Sequence, residues 1–168
     1  MASFGPEDLE KIGCSRWVVK HCLAVLEKAL DIAARVKVNV DMDVIREAAL
    51  LHDIGRCKTN GIEHAVVGAE MARELGAREE VVRAIERHIG AGIPREEAVK
   101  MGLPARNFVP VTPEEKIVAY ADNLVLGSRH LTFEESIDKF RKILGDGHPA
   151  IKRYKALHEE IQSWINRW

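Results

Sequence analysis

Four histidines and two aspartates stand where helical periodicity asks for apolar side chains: His21, His52, Asp53, His64, His88 and Asp122. A chain with this pattern must bring polar groups into a core. Burying an imidazole or a carboxylate costs free energy unless something compensates it, and a metal ion is a strong compensator. Imidazole and carboxylate are also ligands of iron, manganese and zinc. Taken singly, His21 reads as a satisfied core histidine. An aspartate on the apolar face of Val118, Val125 and Leu126 is harder to place, because an uncompensated buried charge is strongly destabilising. Together the six point to a metal-dependent enzyme.

The rest of the chain reads as helix. Pro6 opens a short first helix with Glu7 and Asp8 in its first turn, and Gly13 stops it. Ser15 is an N-cap for a helix to about residue 36, with Val18, Cys22, Val25, Leu26, Ala29 and Ala33 as its apolar stripe. Asp41 or Asp43 starts the next helix, which carries Ile45, Ala48, Ala49 and Leu51 and stops at Gly55. Further helices are expected at about 64–75, 78–88, 95–101, 113–130, 132–144 and 149–168, with Thr112 and Thr132 as caps. Residues 107–110 read as extended, and no alternating strand pair stands out. The expected class is all-α, a single helical domain over residues 1–168.

Composition narrows the function classes. Of 168 residues, 46% are hydrophobic and the net charge is −1. A nucleic-acid surface would need a basic excess, so no nucleic-acid partner is expected. No run of about 18 apolar residues exists, so no membrane span is expected. The N-terminus lacks the basic-then-apolar pattern of a secretory signal. Cys14, Cys22 and Cys57 are odd in number and lack zinc-site spacing. Free thiols in a reducing cytoplasm are therefore the expectation. A single glutamine beside many charged residues leans toward a thermophile.

His21 shares a helical face with Val18 and Val25 and points inward. His52 and Asp53 are about 100° apart around a helix, so they serve one centre only in its last turn. His64 lies on the face of Val67, Gly68 and Met71, where Gly68 lets another helix approach. His88 follows Val81, Ala84 and Ile85, and Gly90-Ala91-Gly92 then frees the chain, either as a helix stop or as backbone N–H groups for a phosphate.

Ala49 to Arg56, read Ala-Leu-Leu-His-Asp-Ile-Gly-Arg, resembles the HDIG signature of the HD-domain superfamily of metal-dependent phosphohydrolases. His21 matches that family's first histidine, His52-Asp53 its doublet, and Asp122 its last aspartate. The resemblance spans about residues 15–130 and implies an HD-domain helical bundle. His64 and His88 match the extra histidines of members with paired metals. The resemblance thus implies two divalent ions, with Asp53 bridging them and orienting the nucleophile as the catalytic carboxylate. The nitrogen–oxygen ligand set favours Fe or Mn, with Zn or Ni also admitted. Two cations about 3.5–4 Å apart lower the pKa of water from about 15.7 toward about 7 and neutralise phosphoryl oxygens. The chain is also similar to small archaeal HDIG proteins, whose activities include a cyclic phosphodiesterase of pterin biosynthesis.

The expected activity is therefore hydrolysis of a small-molecule phosphodiester. Hydrolysis of a nucleotide or dinucleoside polyphosphate is the alternative. A non-catalytic nucleotide-binding module is the reading from another class. Arg56 and Lys58, on the loop after the doublet, are the first candidates for a phosphate clamp, followed by Lys116, Arg129 and Arg87. His130, His148 and His158 are expected at the surface. Leu157, Ile161, Trp164 and Trp168 form a stripe that reads first as core packing and leaves a homodimer contact open.

Overall fold

The computed structural model describes residues 3–166. Among these the helices are α1 (Pro6–Ile12), α2 (Arg16–Arg35), α3 (Met42–Leu51), α4 (His64–Glu74), α5 (Glu79–Glu86), α6 (Arg95–Lys100), α7 (Pro113–Asn123), α8 (Phe133–Leu144) and α9 (Pro149–Ile165). The all-α class stands. The caps that the sequence names are present. Ser15 Oγ accepts from Val18 N–H, and the Asp41 carboxylate accepts from Asp43 and Val44 N–H. Thr112 and Thr132 each close a capping box, with Glu115 and Glu135. Gly13, at a positive φ of 96°, ends α1.

Long helix α2 packs along α3 and α7, and α5 closes the other side of α3. The main core runs through Cys22, Val25, Ile45, Leu51, Ile85, Ile117, Tyr154 and Ile161. A smaller cluster of Ile93, Ala98, Leu103 and Phe108 lies under α6. The extended reading of residues 107–110 is met by a single bridge between Ile93 and Phe108. Leu157 and Ile161 are buried and Trp164 packs on the core, so this part of the C-terminal stripe is core packing. Trp168 lies outside the described residues.

Several expectations need correction. Helix α7 does not reach residue 130. It ends at Asn123, and strands β1 (Val125–Leu126) and β2 (Arg129–His130) form a small antiparallel hairpin. The signal was a Gly-Ser pair between the strands, a two-residue hairpin turn, with Gly127 at φ 63°. Helix α3 ends at Leu51, not at Gly55. Asp53 (φ −107°, ψ 13°) has left the helix, and a 3-10 turn follows over Ile54–Cys57. Gly55 has a different duty, because a Cβ there would lie 1.9 Å from the His64 carbonyl oxygen. A Cβ on Gly68 would come within 3.1 Å of Gly55 N. The two glycines let the 3-10 turn sit against the backbone of α4, as foreseen for Gly68.

The cysteines also differ from expectation. Cys14 and Cys57 form a disulfide with Cα atoms 5.1 Å apart, and only Cys22 is free. Helix α1 packs against the 3-10 turn, which brings together two cysteines 43 residues apart. The argument from free thiols to a reducing compartment falls with this pair. No described helix is long and apolar enough to cross a membrane.

Candidate metal centre

The six singled-out side chains come from five helices and meet in one place. His21 is mid-α2, His52 caps α3, Asp53 follows it, His64 opens α4, His88 follows α5, and Asp122 lies in the last turn of α7. The four histidines and Asp53 are buried; the Asp122 side chain retains 20% exposure and opens to a pocket. The departure of Asp53 from helical geometry lets two adjacent residues face one centre.

Each histidine of the cluster has its ring fixed in the same way. Nδ1–H of His21 donates to the Gly127 carbonyl (2.6 Å), of His52 to Ala49 (2.7 Å), of His64 to Gly61 (2.9 Å) and of His88 to Ile85 (2.6 Å). A backbone carbonyl on Nδ1 sets the tautomer and leaves the Nε2 lone pair for a metal. The four Nε2 atoms then face acceptors. His21 Nε2 lies 3.0 Å and His52 Nε2 3.2 Å from Asp122 Oδ1. The Nε2 atoms of His64 and His88 are 3.3 Å apart. Lone pairs directed at lone pairs need protons or cations between them. This donor set fits divalent metal.

Asp53 divides its oxygens. Oδ2 lies 3.5 Å from His21 Nε2 and 3.7 Å from His52 Nε2. Oδ1 lies 3.2 Å from His64 Nε2 and 3.3 Å from His88 Nε2. Three ligand groups result: His21, His52 and Asp53; His52, His88 and Asp122; and Asp53, His64 and His88, each with its ligand atoms within 4.8 Å of one another.

The electrostatics follow from this crowding. Burial works against a charged His52, but the charges of Asp53 and Asp122 outweigh it and raise its pKa well above the usual imidazole value. Burial would likewise raise the Asp53 carboxyl, yet the His52 charge and hydrogen bonds from His64 and His88 hold it far below the usual carboxylate range. Asp122 is held down against its own burial by His52 and His21.

A pocket of about 200 Å³ opens over the cluster. Arg56 lines it, and its Nε donates to Asp53 Oδ2 at 3.2 Å. Lys58, Lys116 and Arg129 do not line it. Lys58 is exposed, Lys116 is paired with Glu160 (2.7 Å), and Arg129 is paired with Glu135 (3.2 Å). Arg87 is held by Glu115 at 2.6 Å.

The pocket also holds residues that the sequence reading missed. Lys139 on α8 lines it, and burial lowers its pKa while the Asp122 charge raises it, with a net decrease. Its helical neighbours Glu135, Ser136, Lys142 and Ile143 form no apolar face, so the sequence carried no signal that set Lys139 apart. Trp17, 56% exposed, stacks on His21 at the rim. Asn123 ties the pocket floor to the glycine loop by donating from Nδ2 to the Gly90 and Ala119 carbonyls. His148 caps α9 and His158 stacks on Phe133, so both are half-buried, unlike exposed His130.

A helical scaffold that gathers four imidazoles and two carboxylates beneath a cationic pocket defines a metal-dependent phosphohydrolase. The chain belongs to the HD domain family, whose model matches residues 18–126. It is 52% identical over 155 residues to the uncharacterized protein MJ0778 of Methanocaldococcus jannaschii, covering 90% of this chain and 92% of that one. It is 49% identical over 160 residues to a tRNA (cytidine(56)-2'-O)-methyltransferase of Thermoplasma volcanium, covering 95% of this chain but 46% of that protein. Among solved structures it is similar to the HD domain of the L. monocytogenes phosphodiesterase PgpH, crystallised with cyclic-di-AMP. The TM-score is 0.56 at 17% identity, covering 95% of this chain and 97% of that one, a likeness of fold.

Proposed function

We propose that this protein hydrolyses a small-molecule phosphodiester, such as a cyclic phosphate, at a centre of two divalent metal ions. The observation that carries the reading is the split of Asp53, one oxygen toward His21 and His52 and the other toward His64 and His88. A carboxylate so placed suits a bridge between two ions. His21, His52 and Asp122 would hold one ion, and His64 and His88 the other, with Fe or Mn favoured by the nitrogen–oxygen set. Such a pair, when bound, supplies a water of lowered pKa and Lewis-acid stabilisation of phosphoryl oxygens.

The chain's own residues do the rest. The four carbonyl-anchored imidazoles keep Nε2 directed inward as the nitrogen that would meet a metal. Asp53 is held ionised and can accept a proton bond from the attacking water. Arg56 and Lys139 stand on the pocket wall, where a phosphate would meet both positive charges. The L. monocytogenes relative of this fold binds a cyclic dinucleotide, in keeping with a small diester.

Protein reconstituted with Mn or Fe(II) should cleave a cyclic or aryl phosphodiester, lose activity on chelation, and place one labelled oxygen from isotopic water on the product. Cleavage restricted to monoesters or dinucleoside polyphosphates would defeat the diesterase assignment. A second reading places the phosphate on RNA. It is favoured by the Thermoplasma relative, which carries a similar unit in a tRNA methyltransferase. The net charge of −1 favours the small molecule. An oligoribonucleotide ending in a cyclic phosphate, in the same panel, separates the two.

A further inference from the structure

Cys57 closes the 3-10 turn that begins one residue after Asp53, and its sulfur is bonded to Cys14 beyond the end of α1. The turn is gripped from two sides. On one side Gly55 lies against the backbone of α4 at His64. On the other the disulfide ties Cys57 to Cys14, whose N–H donates to the Leu9 carbonyl at 3.0 Å. Arg56 stands between the two grips. Its Nε donates to Asp53 Oδ2 at 3.2 Å, and its side chain lines the pocket over the cluster.

Helix α1 is a weak anchor without the covalent bond. It has seven residues, of which Leu9 is buried. Phe4 and Ile12 are only partly buried against the core. Isolated helices shorter than about 12–15 residues are marginal in water. Cys14 and Cys57 are themselves half-buried, with exposed Gly13, Ser15 and Lys58 beside them in the chain, so a small thiol can reach the bond. Cys22 is free but fully buried and stands apart from this exchange.

We propose that the Cys14–Cys57 pair is a site of thiol–disulfide exchange, with a dithiol as co-reactant, that sets how firmly Arg56 is held over the metal centre. The inference rests on the phosphohydrolase reading above in taking Arg56 as a phosphate contact. A thiolate of the dithiol attacks one sulfur of the pair, the Cys14–Cys57 bond breaks, and the displaced cysteine leaves as a thiolate that takes up a proton. The second thiol of the reagent gives up its proton and displaces the other cysteine from the mixed disulfide. The products are two cysteine thiols and the oxidised reagent, and two electrons have passed from the dithiol to the protein. The reverse exchange, with the oxidised reagent, restores the bond. In the reduced protein the turn keeps its grip at Gly55 and loses the one at Cys57. Asp53 precedes the surviving grip and stays with the histidines. Arg56 follows it and is free to swing out of the pocket. Reduction thus weakens the hold on phosphate and leaves the ligand cluster assembled.

The test compares manganese-loaded protein before and after dithiothreitol, with the reagent then removed under argon. Thiol alkylation and mass spectrometry report the state of the bond. Inorganic phosphate is the probe, followed by calorimetry. Reduced protein should bind it about tenfold or more weakly, the scale of one charge-assisted hydrogen bond. Manganese content and circular dichroism should hold, amide exchange over residues 54–58 should quicken, and re-oxidation should restore the affinity. Cys57→Ser should show the weaker grip with or without the reagent, and Arg56→Ala should bind weakly in both states. Equal phosphate affinity in oxidised and reduced wild type overturns the proposal. So does a bond that dithiothreitol leaves closed in the folded protein, a loss of manganese on reduction, or a further fall when Arg56→Ala is reduced, which would put the effect on another residue. The two readings fail separately. A redox-dependent phosphate grip without turnover of any diester defeats the hydrolase reading alone, and turnover with a grip indifferent to reduction defeats the exchange site alone.

Discussion

The ligand cluster and the cavity of about 470 Å³ beside it share Arg56, His64, Gly90 and Lys139 as walls, but they are assembled by different means. The cluster is polar and tightly cross-bonded. Each imidazole is pinned by a carbonyl, and each carboxylate faces at least two histidines. The cavity is apolar and open, with exposed Ile143 and Met101 at its edge. One region is suited to fixing atoms for chemistry, whereas the other is a space bordered by side chains. The difference teaches where change is tolerated. A ligand replaced in the cluster breaks a network, whereas a side chain replaced at the cavity rim breaks none.

The sharpest contrast is expected at Asp53. Asp53→Ala should lower turnover by about a thousandfold or more, about 4 kcal/mol in transition-state terms, and reduce metal content. Turnover assays with elemental analysis check this. Wild-type turnover in that variant would erase the distinction between the regions.

Metal removal comes next. A divalent ion at about a thousandfold excess over its Kd stabilises the folded state by about 4 kcal/mol, read as a drop in Tm on chelation. The sign of the pH dependence differs between the two forms. His52 has a raised pKa in the metal-free protein, so its contribution there is fully present below about 6.5 and is lost as pH rises through the folded value. Metal must displace that proton, so metal stabilisation should instead grow with pH. Metal-loaded and metal-free Tm profiles running in parallel from pH 6 to 9, a range set roughly by the ordinary imidazole value, would contradict this.

The disulfide braces the turn that follows Asp53. Cys57 follows Asp53 by four residues, and its bond to Cys14 ties that turn to the end of α1. Cys14→Ser should cost about 2–4 kcal/mol in denaturant melts under oxidising conditions. An unchanged midpoint would show that packing alone positions the turn.

Arg56 tests the boundary between the regions. Arg56→Ala should keep its metals and lose about 1.5–3 kcal/mol in kcat/KM, the scale of a charge-assisted hydrogen bond. Lys58→Ala, away from the pocket, should lose almost none. Equal losses would redraw the phosphate contact. The smallest effect is at the scaffold. Asp41→Ala removes the N-cap of α3, the helix that delivers His52 and Asp53, and should cost about 1 kcal/mol of stability with turnover retained. A large fall in turnover would mean that the cluster depends on the cap.

Much of this was legible in the chain before folding. Ser15, Asp41, Thr112 and Thr132 mark helix starts through local hydrogen bonds, and helix faces repeat within a few residues. Imidazole and carboxylate on such faces declare their chemistry by residue type. The hairpin after Asn123 was also local, and its Gly-Ser turn was overlooked within a longer helical pattern.

Tertiary structure decided the rest, because it depends on contacts between distant segments. The Gly127 carbonyl that sets the His21 tautomer is 106 residues away in sequence. The two-sided placement of Asp53 depends on how α2, α4 and α5 pack around the end of α3. Cys14 and Cys57 meet because α1 lies on the 3-10 turn, a contact that no spacing rule encodes. The cavity is the clearest case. Its walls gather side chains from the 3-10 turn through α9, and the volume between them exists only after those segments have packed.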